Sequence, residues 1–305
     1  MDYSVIIPVY NSEDSLKELS LRLISVFNSI KNISFELIFV DDFSSDNSWK
    51  ILKEIKKKYP ESVKIIRLSK NYGQHNATFC AFSFVKSDYI ITIDDDLQHA
   101  PEDIVKLIDK IKIDSLDLVY GIDRNINNSI KNAGSQLWKK GSKAVEGALG
   151  EGSSFRIFNS SLVEKIRNHK QHFIFLDELF FWYTNYIDFV QVKKHPRKHG
   201  KTGYSLRNTF RFITSITLLY GTWPLKLMTY GGAFFSFLSF IIGLFFIFKK
   251  IFLGIDVAGF TAIIVAISFS TSLILLCFGI IGKYLNNIYI VLNNKPSFSI
   301  KERYL

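Results

Sequence analysis

The densest cluster of reactive side chains in the sequence is Asp94, Asp95 and Asp96, with Gln98 two residues further on. The cluster directly follows residues 89–93, an apolar run that reads as a buried strand. Carboxylates two residues apart on a turn can converge on one hard cation, and Mg²⁺ or Mn²⁺ takes oxygen ligands that it shares with substrate phosphates. Three adjacent carboxylates repel one another. The pattern therefore favours a cation site over the alternative, a solvated acidic turn that caps the next helix.

A second acidic pair, Asp41 and Asp42, directly follows another apolar run at residues 35–40. Acidic acceptors at the end of a strand can bind a base N–H or a ribose hydroxyl of a nucleotide. The polar residues that come next also have a structural interpretation, because Ser44 or Asp46 can cap the following helix.

Strands and helices alternate in the first part of the chain, and this alternation positions both acidic clusters. Short strands separated by helices imply parallel βαβ units with right-handed crossovers. Such sheets bind ligands beyond the carboxyl ends of their strands, where both clusters lie. Apolar runs and helical spacing predict strands at 3–9, 35–40, 63–68, 89–93, 116–120, 153–158 and 189–194, and helices at 12–30, 46–59, 77–85, 101–113 and 125–150.

The last third of the chain carries two apolar segments, residues 227–248 and 260–281, each of 22 residues without a charge. At about 1.5 Å per residue, such a helix spans roughly 30 Å, the thickness of the bilayer hydrocarbon. The link 249–259 is too short for a domain, so a transmembrane hairpin is predicted. Residues 206–220 alternate Arg with apolar residues, which is typical of a helix that lies in the membrane interface.

Basic residues orient the predicted hairpin, because Lys and Arg concentrate on the cytosolic side of a membrane. The link carries only Lys249 and Lys250. The flanks carry more, so both termini and the α/β part of the chain are expected in the cytosol, with the protein in the inner (cytoplasmic) membrane. The flanking residues are Arg207, Arg211, Lys226, Lys283, Lys295, Lys301 and Arg303.

Composition excludes several other classes of protein. The formal charge of +10 is not organised as a helix-turn-helix, a zinc finger or a long basic tract, so nucleic acid is not expected as a partner. Cys80 and Cys277 lie far apart, and neither a disulfide framework nor a thiolate metal site follows from them. Residues 1–10 lack the basic start of a signal peptide.

Three motifs in order carry a resemblance to a known family. VIIPVYN at residues 5–11, VDDFS at 40–44 and DDDLQHAPE at 94–102 resemble the successive motifs of the inverting family 2 glycosyltransferases of GT-A fold. Together with the C-terminal hairpin, the DxDLQ pattern resembles the polyprenyl-phosphate glycosyltransferases. These include the dolichol-phosphate mannose synthases, the undecaprenyl-phosphate glucosyltransferases of O-antigen modification and the aminoarabinose-transferring enzymes. The resemblance covers nearly the whole chain.

The resemblance implies a domain organisation. An α/β catalytic domain of GT-A fold, with a Rossmann-like mixed sheet, is expected at residues 1–204 in the cytosol. A juxtamembrane interfacial helix at 205–226, the transmembrane hairpin at 227–281 and a cytosolic tail at 282–305 would follow. The resemblance leaves a homo-oligomer open.

The resemblance also implies roles for the residues of the donor site. Pro8, Tyr10 and Asp42 would contact the nucleoside, and Asp95 would lie beside the ribose or a phosphate. The catalytic carboxylates Asp94 and Asp96, with Gln98, would hold the metal and the donor diphosphate, with Mg²⁺ or Mn²⁺ as cofactor.

For the acceptor phosphate, the resemblance implies a cluster of Arg124, Lys131, Ser135 and Arg197. Arg and Lys make charge-assisted bonds to phosphate oxygens, so the assignment is chemically reasonable. An alternative is that these bases attract anionic lipid. Ser154-Phe155-Arg156 resembles a Ser-Gly-Phe-Arg strand of the family, in which the Arg is a candidate for a structural role.

The chain departs from the family pattern at several positions. Ser12 stands where Glu is usual, which weakens one nucleotide contact, and Phe43 replaces a common Gly. Ser153 precedes Ser154 without the usual Gly between Ser and Phe. Asp177 and Glu178 fall in a stretch expected to be more apolar in the polyprenyl-phosphate branch.

The function implied is metal-dependent, inverting transfer of a sugar from a UDP- or GDP-sugar to polyprenyl (undecaprenyl) phosphate at the cytosolic membrane face, for cell-surface glycan synthesis or modification. A phosphate acceptor is largely dianionic at pH 7 and needs no general base. The alternative is transfer to a hydroxyl of a lipid-diphosphate-linked saccharide, which needs a base, with Asp177 or Glu178 as the candidate. A second alternative is a non-catalytic membrane accessory protein.

Overall fold

A computed structural model describes residues 1–123, 153–167, 175–196, 259–293 and 295–305, together with some of the residues between 227 and 252. The described residues fall into two compact units. The first contains the described residues up to 196 and the segment 295–305. The second contains the described residues between 227 and 293.

The first unit is built on one mixed eight-stranded sheet with the order β7-β5-β6-β4-β1-β2-β3-β8. The strands β4, β1, β2 and β3 are parallel neighbours, whereas β6 and β8 run antiparallel to β4 and β3. The bounds are β1 Tyr3–Val9, β2 Phe35–Asp41, β3 Val63–Leu68, β4 Tyr89–Thr92, β5 Leu118–Ile122, β6 Arg156–Asn159, β7 Ile187–Gln191 and β8 Ile300–Tyr304.

Among the described residues of the first unit, six helices cover this sheet, and apolar spacing explains the longer ones. In α1 the buried residues Leu16, Leu19 and Leu23 recur at helical intervals and face the core. A 3₁₀ turn, Pro101–Asp103, opens α4, as expected for a proline at the first helical position. The bounds are α1 Leu16–Ser29, α2 Ser48–Lys58, α3 Gln74–Ala81, α4 Ile104–Ile113, α5 Ser160–Arg167 and α6 Leu176–Tyr183.

The central strands are buried along their whole length, which fixes where polar chemistry can occur. All seven residues of β1 are buried, and Pro8 is paired in register with Val40 of β2. The ring of Phe27 in α1 packs 4.8 Å from Phe35 and 5.9 Å from Tyr3. Polar residues that bind a ligand must therefore come from the turns beyond the strand ends.

The strand β8 comes from the end of the chain and closes the sheet at β3. Ile300 pairs with Leu68, Glu302 with Arg67 and the Ser69 N–H donates to the Ser299 carbonyl at 2.8 Å. Residues 295–305 are therefore part of the sheet domain. This strand was not predicted, because β8 carries Lys301, Glu302 and Arg303 and alternates too weakly to be recognised as a strand.

The predicted strands and helices of the first 122 residues are confirmed, with shifted ends. The strands at 3–9 and 63–68 are confirmed with the predicted bounds. The helix predicted at 77–85 begins at Gln74, because Gly73, at φ +88°, ends the preceding loop and the polar residues after it already belong to the helix. The eight-residue helices α5 and α6 were not predicted.

In the second unit, the described residues between 227 and 252 are all helical. They are followed by α7, Phe260–Leu292, of 33 residues. One helix among the described residues, Phe269–Leu292, is long and apolar enough to cross a membrane, with a mean hydropathy of 1.6. The helix α7 continues beyond the uncharged segment 260–281 and includes the polar residues Lys283 and Asn286 before it ends at Leu292.

The predicted interfacial helix at 206–220 and the predicted helix at 125–150 lie outside the described residues.

Candidate active site

The turn after β4 brings the carboxylate of Asp94 against two donors from other elements. The Gln74 amide, at the start of α3, donates to Asp94 Oδ1, and the Ser154 hydroxyl donates to Oδ2 at 2.5 Å. Burial raises the pKa of Asp94, and the charge of Asp96 raises it further, although the Ser154 bond opposes both. A cation would relieve the repulsion between these two carboxylates.

The same turn is closed by its own backbone. The Gln98 N–H donates to Asp96 Oδ1 at 3.0 Å, and the Gln98 carbonyl accepts the His195 N–H at 2.8 Å. Leu97 between them has φ +59° and is buried. The Gln98 carbonyl keeps a second lone pair, so Gln98 could ligate a cation through this oxygen or through its side-chain amide oxygen.

Asp95 points away from its two neighbours towards the turn after β1. Its Oδ2 accepts the Tyr10 N–H at 3.0 Å and the Ser12 hydroxyl at 2.5 Å, and its carbonyl accepts the Ser15 hydroxyl at 2.5 Å. Burial raises the pKa of Asp95 to about 7. Ser12, which replaces the usual Glu, therefore ties the β1 turn to the acidic turn after β4.

The two carboxylates at the end of β2 have different surroundings. Asp41 is fully buried and pairs with Arg67 at 3.1 Å, so it faces the interior. Asp42 accepts the backbone N–H groups of Tyr72 and Gly73, both at 2.7 Å. Burial raises the pKa of Asp42 to about 6, against the effect of those two bonds.

Hydrogen bonds also join the turns after β1 and β2. The Asn11 N–H donates to Ser44 Oγ at 3.0 Å, and the Asn11 side chain accepts the Ser45 N–H at 2.8 Å. Two exposed aromatic side chains flank these bonds, Tyr10 at 51% and Phe43 at 42% exposure. Aromatic surface beside a buried carboxylate can accommodate a nucleobase.

The edge formed by these turns can bind a nucleotide at the β1 and β2 ends and a diphosphate at the β4 end. The sequence model of the family described as "Glycosyl transferase family 2" matches residues 4–170, which include every turn described above. The chain belongs to this family.

Relatives of the enzyme extend the match beyond the sheet domain. An uncharacterized glycosyltransferase of Synechocystis sp. is 31% identical over 99% of this chain and 95% of its own length. An undecaprenyl-phosphate 4-deoxy-4-formamido-L-arabinose transferase of Edwardsiella ictaluri is 28% identical over 98% of this chain and 93% of its own. The resemblance to the polyprenyl-phosphate branch is thereby confirmed, and the chain is a glycosyltransferase.

A solved structure shares the fold of the glycosyltransferase. Glucosyl-3-phosphoglycerate synthase from Mycobacterium tuberculosis, in complex with Mn²⁺, UDP and phosphoglyceric acid, superposes with a TM-score of 0.50 at 15% identity. The match covers 71% of this chain and 76% of the synthase. The predicted mixed α/β sheet of GT-A type is therefore confirmed.

The donor set of the glycosyltransferase fits a cation that is shared with a substrate. Among the described residues, no group of at least three His, Cys, Asp or Glu side chains could hold a metal ion. The two carboxylates Asp94 and Asp96, with the Gln98 amide, would leave other positions for water or diphosphate oxygens. This is the usual situation of Mg²⁺, which binds through one or two carboxylates and substrate phosphates.

Behind the acidic turn, a buried ion pair connects β6 to α6. Arg156, 3% exposed, donates to Asp177 Oδ1, which also accepts the Tyr120 hydroxyl at 2.9 Å. The Asp177 carboxylate thus accepts hydrogen bonds from the Arg156 guanidinium and the Tyr120 hydroxyl. The sequence suggested a structural Arg156 but not its partner, because the two residues lie on separate elements.

Glu178, next to Asp177, is 3% exposed and accepts the Trp182 indole N–H at 3.0 Å through Oε1. Its Oε2 is buried and has no hydrogen-bond partner. Burial raises the pKa of Glu178, and the charge of Asp177 adds to the effect.

The sequence analysis did not assign four side chains to the site. Gln74 and Ser154 donate to Asp94, Ser12 donates to Asp95, and His99 lies just after the acidic turn. The His99 ring stacks on Phe155 at 5.1 Å, and burial lowers its pKa to about 4, so the ring is neutral at pH 7. Only the position of Gln74, directly after Gly73, gave a signal. The predicted acceptor residues Arg124, Lys131, Ser135 and Arg197 lie outside the described residues.

Proposed function

We propose that this glycosyltransferase transfers a sugar from a UDP- or GDP-sugar to polyprenyl phosphate, with inversion at the anomeric carbon. The observation that carries the proposal is the hydrogen bonding of the acidic turn after β4 to the turn after β1, through Asp95, Tyr10 and Ser12. One edge of the sheet thereby brings together the residues that we propose for nucleotide binding and those that we propose for cation binding. The named undecaprenyl-phosphate transferase that aligns over 98% of the chain supports the choice of acceptor.

For the donor, Tyr10 and Asp42 contact the nucleoside, and Pro8, buried in β1, sets the position at which the chain turns into Tyr10. Asp95 reaches the ribose or a phosphate from the same side. Asp94, Asp96 and Gln98 hold Mg²⁺ or Mn²⁺ with the diphosphate. When bound, this ion supplies positive charge to the departing nucleoside diphosphate.

For the acceptor, an oxygen of the phosphate forms a new bond to the anomeric carbon. The bond from that carbon to the donor diphosphate breaks, and its electron pair stays on the nucleoside diphosphate. Because the phosphate is largely dianionic at pH 7, no proton has to be removed. Arg124, Lys131, Ser135 and Arg197 are proposed to bind and orient this phosphate.

The membrane arrangement is proposed to be a hairpin with both ends in the cytosol. The chain leaves the sheet domain before residue 227 and returns to it at β8. A membrane segment that leaves and returns on one side must cross an even number of times. Since α7 supplies one crossing, the apolar segment 227–248 is the candidate for the second.

A hydroxyl acceptor is the second candidate function, and one observation favours it. Glu178 keeps a buried, unpartnered carboxylate oxygen and a raised pKa, as a general base can. Asp177 is the poorer base of the two, because Arg156 and Tyr120 already bind the same oxygen.

The test is transfer by the purified chain in detergent, with Mg²⁺ or Mn²⁺, undecaprenyl phosphate and a panel of radiolabelled UDP- and GDP-sugars. We expect label in the organic phase that requires the lipid phosphate and is abolished by EDTA. Glu178→Gln should retain transfer within a few fold. If label moves only to a lipid-diphosphate-linked saccharide, and Glu178→Gln reduces it by about 10²-fold or more, the hydroxyl acceptor is correct.

A further inference from the structure

Residues 72–74, at the end of the β3–α3 loop and the first position of α3, donate three hydrogen bonds to carboxylates of the candidate site. The backbone N–H groups of Tyr72 and Gly73 donate to Oδ1 and Oδ2 of Asp42. The side-chain amide of Gln74 donates to Oδ1 of Asp94. A single short segment therefore contacts the acidic residue of the β2 end and that of the β4 end.

The backbone of this segment is shaped for the first of these contacts. Gly73 has φ +88°, a conformation that a side chain would strain, and the two adjacent N–H groups converge on one carboxylate. Both oxygens of Asp42 are occupied in this way at 2.7 Å. Asp42 thus fixes where α3 begins, and with it the position of Gln74.

The second contact orients a proposed metal ligand. Gln74 and Ser154 hold one oxygen of Asp94 each, so the carboxylate plane cannot rotate freely. A carboxylate oxygen accepts more than one bond, so each keeps a lone pair for a cation. Because the Gln74 amide is neutral, it orients Asp94 without cancelling the negative charge that attracts the cation.

We propose that Gln74 is a positioning residue for Asp94, and that residues 72–74 connect nucleoside recognition at Asp42 to cation binding at Asp94. The inference rests on the proposed function, since it takes Asp94 as a ligand of the metal. Partners that orient a ligand in this way typically change metal affinity by about 10–100-fold when they are removed.

The experiment compares Gln74→Met, which keeps the length of the side chain but removes the amide, with Ser83→Ala, an exposed position just beyond α3. Mn²⁺ binding is followed by electron paramagnetic resonance with UDP or GDP, whichever the wild-type chain binds. Nucleotide binding is measured separately in EDTA. We expect Mn²⁺ affinity to fall about tenfold in Gln74→Met, nucleotide affinity in EDTA to stay within twofold, and excess Mn²⁺ to restore kcat.

Ser154→Ala removes the other partner of Asp94 and should weaken Mn²⁺ binding in the same direction. Wild-type Mn²⁺ affinity in Gln74→Met would overturn the inference and leave the proposed function standing. Equal losses of nucleotide affinity with and without Mn²⁺ would also overturn it, because they would mean that Gln74 only supports the fold. Absence of Mn²⁺ binding by the wild-type chain with either nucleotide would instead overturn the metal assignment in the proposed function.

Discussion

At the scale of single residues, the site edge is marked by backbone strain. Asn11, Phe43 and Leu97 each follow a different strand and have φ of +53°, +64° and +59°. A left-handed conformation costs a residue other than glycine about 1–2 kcal/mol. Strain of this kind persists where the surrounding structure holds it, commonly at functional sites. The φ of +64° at Phe43 explains why glycine, which adopts positive φ without strain, is usual at this position.

The first prediction concerns the acidic turn. Asp96→Asn should abolish transfer, by about 10³-fold or more, because it removes a carboxylate from the proposed cation site on a solvent-facing turn. The melting temperature should change little. Asp109→Asn, an exposed carboxylate of α4, is the matched control. Near wild-type kcat in the Asp96 variant would remove Asp96 from the metal site.

A second prediction follows from the pKa of Asp42, which burial raises to about 6. Below that pH the carboxyl takes a proton, and one oxygen can no longer accept a backbone N–H or a nucleoside donor in the same way. Affinity for the nucleotide-sugar should therefore fall as pH decreases through about 6, by up to about tenfold per pH unit.

Calorimetric titration with the nucleotide-sugar that supports transfer measures this dependence. A nucleotide-sugar has no phosphate pKa in that range, unlike the free nucleoside diphosphate. Asp42→Asn should bind weakly and lack the inflection near 6. An inflection that survives in the variant would assign the titration to another group.

At the scale of elements, β8 is the part of the sheet domain that the sequence least led us to expect. Lys301 lies 5.9 Å from the ring of Phe43, Glu302 pairs with Lys53 at 3.4 Å, and the Tyr304 ring lies 6.2 Å from Trp49. The cation of Arg67 approaches Phe43 at 5.8 Å as well. The strand thus reaches Phe43, the residue that follows Asp42 in the turn after β2.

Removal of residues 299–305 should accordingly weaken both stability and donor binding. Loss of the β3 pairing and of these contacts should lower the melting temperature by roughly 5–10 °C and raise the KM for the donor several fold. Glu302→Gln is the matched control, because it breaks only an exposed ion pair, which contributes about 1 kcal/mol or less. An unchanged donor KM in the truncated chain would confine β8 to a structural role.

The elements that sequence reasoning predicted well are those with a strong pattern. The buried strands are recognisable from their apolar runs, and α1 is recognisable from the helical spacing of Leu16, Leu19 and Leu23. The helix α3 begins with polar residues and has little apolar periodicity, and α5 and α6 are only eight residues long. The strand β8 depends on pairing with a strand far away in the sequence. The acidic turns were predictable because they directly follow recognisable apolar strands. The roles of Gln74 and Ser154 depend on hydrogen bonds to Asp94, a residue distant from both in the sequence.

At the scale of the whole molecule, the chain passes from the first unit to the second and back to the first. This route predicts the membrane topology of the second unit. The segment between residues 227 and 292 should place its link, residues 249–259, outside the cytosol. Single cysteines introduced as Gly254→Cys and Lys295→Cys can be probed in intact cells with a membrane-impermeant maleimide.

We expect the Gly254→Cys protein to be labelled in intact cells and the Lys295→Cys protein only after permeabilisation. The parent chain is the control for background from Cys80, which is buried, and from Cys277 in α7. Labelling of both positions from the outside would place the two ends of α7 on the same side of the membrane, and would contradict a crossing by α7.

The pairing of β8 with β3 also constrains the order in which the enzyme can be made. A ribosome releases β3 early and β8 only after both apolar segments have been synthesised. Until then β3 is an open edge, the kind of surface on which chains aggregate. Domains that fold during synthesis usually do so from the N-terminus. This sheet instead stays incomplete until its last residues have been synthesised, so a chain that stops before β8 keeps an unprotected strand that chaperones and proteases can recognise.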